Sequence, residues 1–203
     1  MIRLFLNLAL LAFPIGVFAQ DVDCPEVTSL RDAPVFDFSQ SYPEELLQSV
    51  VMAEDRNYYS SFFGTSTITL QVAKQFSVPT QRTVASRAIE LCLALKLADE
   101  FTQDEILTMW LQSRYFGRRC YGVENASEQL FGVTVENAQM SDFITLAALA
   151  KSPVRGHQDR AHLAQYFALA VENGVIAGLL SEDVADALIA QGPSTILDGN
   201  CAE

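Results

Sequence analysis

Two carboxylates and the polar stretch between them carry the chemistry of this chain. Glu54 continues the helical stripe Leu46, Leu47, Val50, Val51, where the periodicity calls for an apolar side chain. Glu90 interrupts a second apolar run, Ile89, Leu91, Cys92, Leu93, Leu95 and Leu97. A carboxylate on an apolar face is costly to bury unless it is paired or used. Between the two lies GTSTITLQVAK, Gly64 to Lys74, which offers hydroxyls, an amide and an ammonium group. Two such acids flanking a hydroxyl-rich, Lys-bearing segment read as a site. Each residue also has an ordinary use. Arg87 and Glu90 stand at i and i+3 and could pair, Glu54-Asp55 could simply end a helix, Ser66, Thr67 and Thr69 could be caps, and Lys74 could be solvated. The two histidines, His157 and His162, lie far from these segments at no ligand spacing, and no nucleophile elbow is present, so metal-cluster and Ser–His–Asp readings have little support.

The elements that must position these groups read as helices. Ser41 can cap the first, with Pro43 in its first turn and Glu44 and Glu45 at its positive end, and the stripe then aims Glu54 inward. A second helix over 83–98 is apolar nearly all round, which predicts a central, buried element. Thr102-Gln103-Asp104-Glu105 is a capping box opening a third helix through Leu111. Further helices are predicted near 124–130, 141–150, 160–172 and 181–190, with Asn173-Gly174 as a stop. Val35 to Phe38 is a short extended piece. With no repeat, linker or second domain, the pattern gives a single, all-α (mainly α) domain over 41–191, after a loose lead-in at 20–40 and before a loose tail at 192–203.

Composition narrows the function. The chain has 203 residues, is half hydrophobic, and carries a formal net charge of −12, which argues against nucleic acid as a partner. Nine of its thirteen Lys and Arg residues nevertheless fall between Lys74 and Arg155, so a local cationic site for an anionic substrate fits. Residues 1–19 read as a secretory signal peptide, with Arg3, an apolar run to Phe18 and Val17-Phe18-Ala19 at the cleavage positions; an uncleaved anchor is the competing reading. Cys24, Cys92, Cys120 and Cys201 suit an oxidising compartment. Of the three possible connectivities the sequence chooses none; the expectation adopted is Cys24–Cys201, tying the termini, with Cys92–Cys120 bracing the site.

Taken in order, the segments resemble the peptidoglycan glycosyltransferase domain of glycosyltransferase family 51, the transglycosylase domain of penicillin-binding proteins and monofunctional transglycosylases. The resemblance runs from about Pro43 to Ala190. Glu54-Asp55-Arg56-Asn57-Tyr58 resembles E-D-x-x-F, and Gly64 to Gln75 resembles G-G-S-T-I-T-Q-Q-x-x-K-N. Ser86 to Glu90 stands at R-K-x-x-E, and Asp104-Glu105-Ile106-Leu107 with Trp110, Leu111 and Gln112 at D-E-I-L-x-x-Y-L-N. Tyr115-Phe116-Gly117, Tyr121-Gly122-Val123, Phe131-Gly132 and Leu149-Ala150-Lys151-Ser152-Pro153 follow the family's later run. The departures are equally specific. Only eight residues separate Asp55 from Gly64, where the family has a sizeable mobile segment; Ser61 replaces a histidine, Leu70 a glutamine, Gln75 an asparagine and Ile89 a lysine.

The resemblance implies a lysozyme-like fold and polymerisation of lipid II into glycan strands with release of undecaprenyl pyrophosphate. In that reading Glu54 is the general base, and Glu90 organises the leaving-group end, where a divalent metal (Mg or Mn) can bind. Asp55, Ser66, Thr67, Gln71, Lys74, Arg82 and Arg87 would bind substrate, the cations on the pyrophosphate. Partners would be lipid II, the nascent strand, the membrane surface and other cell-wall synthesis proteins, in the periplasm of a bacterium. The rival readings are a non-catalytic relative that binds lipid II or glycan, or scaffolds cell-wall enzymes, and a glycan-cleaving lytic enzyme.

Overall fold

The computed structural model describes residues 24–32, 36–60, 62–77 and 83–201. The predicted signal segment lies outside them. Nine α-helices are described: α1 (Glu44–Glu54), α2 (Thr67–Phe76), α3 (Val84–Glu100), α4 (Gln103–Ser113), α5 (Val123–Phe131), α6 (Met140–Lys151), α7 (Arg155–Gln158), α8 (Arg160–Ile176) and α9 (Glu182–Gln191). Short 3-10 turns occur at Thr28–Asp32, Phe63–Thr65 and Val135–Asn137. Among the described residues the one β feature is an isolated bridge between Tyr115 and Tyr121, so the all-α class holds.

Local chemistry starts most of these helices. Thr102 and Glu105 close a reciprocal capping box at α4, and Thr83 and Ser86 do so at α3. The polar segment forms its own helix, α2, capped by Ser66, whose Oγ accepts from the Thr69 backbone N–H at 3.1 Å. At α1, Pro43 takes the N-cap position and no side-chain cap bond forms, so Ser41 is not the cap.

The centre of the molecule is α6, buried without a break from Phe143 to Ala150. α1 and α8 pack against it, and α2 packs on α3 and α4. The apolar sequence of α3 does not make it central: only Leu93, Ala94 and Leu97 are buried, while Leu91 and Leu95 are exposed. Nor does Asn173-Gly174 stop α8, which continues to Ile176. Gly174 is buried against α1, where an added Cβ would stand 2.3 Å from Met52 Sδ; the glycine serves close helix approach. Asn173 Nδ2 donates to the Met52 carbonyl at 3.1 Å and Arg56 Nη1 donates to Asn173 Oδ1 at 3.0 Å, which ties down the C-terminal end of α1.

The disulfides are Cys24–Cys92 and Cys120–Cys201, with Cα atoms 6.0 and 4.8 Å apart, and not the expected Cys24–Cys201 and Cys92–Cys120 pairs. The reason is where the ends of the chain run. The lead-in crosses the outside of α3: Lys96 Nζ donates to the Cys24 carbonyl at 3.2 Å and pairs with Glu26 at 2.5 Å. Arg31 reaches Glu105 at 2.7 Å, and Phe36 and Phe38 pack on Phe76 and Phe101. The tail returns past α5, with Leu197 N–H donating to the Leu130 carbonyl at 2.8 Å and Arg118 Nη1 donating to the Leu197 carbonyl at 2.5 Å. Neither the described lead-in nor the tail to Cys201 is loose.

Under the fold, His157 Nε2–H donates to the Phe116 carbonyl at 2.8 Å, while its Nδ1 is buried without a partner. Burial holds this imidazole below its ordinary value of 6.5; the Phe116 carbonyl opposes the shift and the Arg118 charge adds to it. The unfolded chain then binds the proton at higher pH than the folded one. Stability from this group is complete above about pH 6.5 and is lost as the pH falls through the depressed value.

Two measurements check this architecture. Peptide mapping without reduction should recover Cys24–Cys92 and Cys120–Cys201, and replacing Cys24 and Cys92 by Ser should cost about 2–4 kcal/mol in urea unfolding with helical content retained. The urea midpoint should fall between about pH 7 and pH 5, and His157→Gln should flatten that decline; an unchanged slope in the variant would contradict the assignment.

Candidate active site

Glu54 is the last residue of α1, and its side chain is 2% exposed. Burying a carboxylate costs several kcal/mol, on the order expected for an ion taken from water, unless donors meet it. Donors meet one oxygen only. Gln71 Nε2, from α2, donates to Glu54 Oε2 at 2.6 Å, and Lys151 Nζ, at the end of α6, approaches the same oxygen at 3.4 Å. Glu54 Oε1 is buried with no hydrogen-bond partner.

The groups holding Oε2 are themselves held. Trp110 Nε1–H donates to Gln71 Oε1 at 2.8 Å, so the amide is oriented with its NH2 toward Glu54. Lys151 Nζ also donates to the Ala53 carbonyl at 2.7 Å. Thr67 Oγ1 donates to the Glu54 carbonyl at 2.6 Å, joining the start of α2 to the end of α1. Arg114, the C-cap of α4, donates through Nη2 to the Ala150 carbonyl at 2.5 Å and lies over the Trp110 ring, with Cζ 5.4 Å from its centre. Its Nε is buried and unpartnered. Burial lowers the guanidinium from its ordinary range, and the Glu54 charge works in the opposite direction. The wall around Glu54 is therefore not simply apolar; two cations and an amide line it.

Other predicted residues serve the scaffold. Ser66 caps α2 from a buried position. Asp55 follows α1 as its C-cap, and its Oδ1 accepts from the Asn57 backbone N–H at 3.1 Å. Tyr58, at the family's Phe position, is fully buried and its hydroxyl donates to the Gln103 carbonyl at 2.8 Å, which satisfies the extra oxygen. Burial drives its phenol well above the ordinary range.

The second carboxylate stands apart. α2 and the turn before it pack on α3: a Cβ on Gly64 would lie 3.2 Å from Ala98 Cβ, near the end of α3. Glu90 lies eight residues before Ala98 on α3, about 12 Å away by helical rise. Glu90 is half-buried, Arg87 and Lys74 are exposed, and among the described residues none of the three forms an ion pair, Arg87–Glu90 included. Lys74 and Arg87 thus present charge to solvent, Arg87 one helical turn before Glu90. Arg82 lies outside the described residues. Among those described, no group of three or more His, Cys, Asp or Glu side chains could hold a metal. Glu90 can offer a divalent ion one carboxylate, which suits an ion whose other oxygens come from phosphate.

Sequence reasoning left Lys151, Trp110 and Arg114 out of the site. Lys151 and Trp110 lie within motif-like segments; Arg114 carries no such signal, because only its tertiary bond to the Ala150 carbonyl brings it to this region.

A family model described as Transglycosylase matches residues 60–173, a span that begins after Glu54 and contains α2 to most of α8. Penicillin-binding protein 2a of Streptococcus pneumoniae is 35% identical over 127 residues, covering 54% of this chain and 17% of that protein. Penicillin-binding protein 1A of Pseudomonas aeruginosa is 27% identical over 167 residues, 71% of this chain and 20% of that protein, and penicillin-binding protein 1A of Escherichia coli K12 is 30% identical over 132 residues, 55% and 16%. The chain spans about a fifth or less of the length of these relatives. With residues 60–173 matched, more than half of its 203, the chain belongs to the transglycosylase family, the glycosyltransferase family 51 whose motifs it carries in order.

Proposed function

We propose that this protein is an exported peptidoglycan glycosyltransferase that extends glycan strands from lipid II outside the cytoplasm. One observation carries the reading: Glu54 has one oxygen held by Gln71 and Lys151 and the other, Oε1, without a partner. A base needs that asymmetry, since one oxygen must be fixed for the other to be aimed. The 4-hydroxyl of the acceptor sugar gives its proton to Oε1 while its oxygen forms a bond to the donor's anomeric carbon. The bond from that carbon to pyrophosphate breaks, with inversion, and the electron pair leaves with the pyrophosphate-lipid.

The leaving group carries the developing charge, and Lys74 and Arg87 are exposed to receive it beside Glu90. Arg82 is assigned there by its motif position. A divalent ion carried on the pyrophosphate would neutralise part of that charge, with Glu90 as its protein ligand. Two disulfides fit an oxidising compartment, and no helix of the described residues is long and apolar enough to cross a membrane. The membrane surface and other cell-wall synthesis proteins are the expected neighbours of a domain acting on a lipid-linked sugar.

A second reading, a family member that binds lipid II or glycan without turnover, is favoured by a different observation. The Glu54 side chain is nearly sealed from solvent, and only eight residues separate Asp55 from Gly64. Turnover requires the wall over Oε1 to part for the acceptor. Cleavage of glycan has less support, because it makes no use of the cations near Glu90.

Incubation of the protein with lipid II and Mg2+ should yield glycan polymer, and Glu54→Gln should lower the rate by about 10²–10⁴ while lipid II binding persists. Saturable binding with no polymer, unaffected by Glu54→Gln, would replace the enzyme with the binder. Lys74→Ala together with Arg87→Ala should weaken lipid II binding by about tenfold or more and make it less sensitive to salt.

A further inference from the structure

Arg114 has no place in the reaction just described, yet it is costly to keep where it is. Its guanidinium is largely buried, donates through Nη2 to the Ala150 carbonyl, and leaves Nε buried without a partner. A desolvated cation with incomplete bonding is a poor source of stability, since a well-packed apolar residue of similar size is often as good or better. What it touches is more informative. Its face lies over the indole of Trp110, whose Nε1–H holds Gln71, whose Nε2 holds Glu54 Oε2. Its Nη2 holds the carbonyl of Ala150, the residue before Lys151, whose Nζ reaches the Ala53 carbonyl and the same Glu54 oxygen. Two separate arms from one guanidinium therefore end on one carboxylate atom.

We propose that Arg114 is a positioning residue: it clamps the Trp110–Gln71 arm and the Ala150–Lys151 arm, so that both close on Glu54 Oε2 and Oε1 is left to react. The clamp itself stands on geometry; its catalytic consequence rests on Glu54 being the base. Lys151 from α6 and Arg114 from the end of α4 are the cations facing Glu54. α2 contributes the neutral Gln71 and Thr67, α8 contributes the neutral Asn173 at Met52, and Asp55 is turned to Asn57. A cation over an indole also restricts the ring more than an aliphatic side chain would.

Trp110 is the sole tryptophan of the chain, so its indole N–H is a single NMR resonance that reads the clamp without any turnover. In the full chain, Arg114→Met should move that resonance and speed its exchange with water by about tenfold or more, the scale of losing one charge-assisted bond, while Arg114→Lys should hold it within about twofold. With lipid II, Arg114→Met should lower kcat by about tenfold with KM nearly unchanged, and Arg114→Lys should recover most of it. An indole resonance with the same position and exchange in Arg114→Met, in a protein that keeps its helical content and both disulfides, overturns the proposal. So does a loss that falls on KM alone. If Arg114→Met does not fold, Arg114→Gln, which keeps a donor for Ala150 without the cation, is read by the same two criteria. A wild-type chain that makes no polymer removes the polymerase reading, and the indole measurement still decides the clamp.

Discussion

The structure turns on how one buried carboxylate is held. Glu54 sits at the end of α1 with almost no solvent, and taking its charge out of water is tolerable because Gln71 and Lys151 converge on Oε2. Those two residues come from the middle of α2 and the end of α6, so the packing of three helices is a condition for the site to exist. Much of the rest of the fold serves that junction. α6 is the buried centre and delivers Lys151 at its C-terminus; α8 presses on α1 through Gly174 and bonds the Met52 carbonyl through Asn173; Thr67 joins α2 to α1.

The outer parts brace the same region from its edges. Cys24–Cys92 holds the lead-in on α3, and Cys120–Cys201 holds the tail on the turn after α4. That turn carries Phe116, which packs edge-on against Trp110 at 6.1 Å and accepts from His157 through its carbonyl. Such staples limit the freedom of the unfolded chain and set where the ends of the domain lie. α3 stays exposed along Leu91 and Leu95, and Arg87 and Lys74 are exposed as well. The molecule thus holds Glu54 in a closed, heavily bonded setting, while Glu90, Arg87 and Lys74 are more open to solvent.

Several features were legible before any coordinates. The stripe through Leu46, Val50 and Val51, the box at Thr102–Glu105 and the apolar run in α6 are local patterns, and local patterns report helices well. Ser66 and Thr67 show the limit. Motif position suggests substrate contact, but Ser66 bonds to its own helix start and Thr67 to the Glu54 carbonyl at the end of α1. α3 shows another limit: an apolar helix becomes central only if neighbours cover every side, and here the lead-in and α2 cover part of it. The cysteine pairing was misjudged for a related reason, since it depends on which surfaces the two chain ends cross.

The sequence by itself determined the helical class, the family through its ordered motifs, and the two acids around which a site is built, because these rest on residue type and spacing within short segments. Only the tertiary structure decided that Glu54 has one tethered and one unpartnered oxygen, that Lys151 reaches the tethered one, and that Arg114 bonds the residue before Lys151. These outcomes depend on contacts between residues roughly 40 to 100 positions apart, such as Gln71 with Trp110 and Glu54 with Lys151. No local periodicity encodes such contacts; the packing of α1, α2, α4 and α6 around one centre creates them.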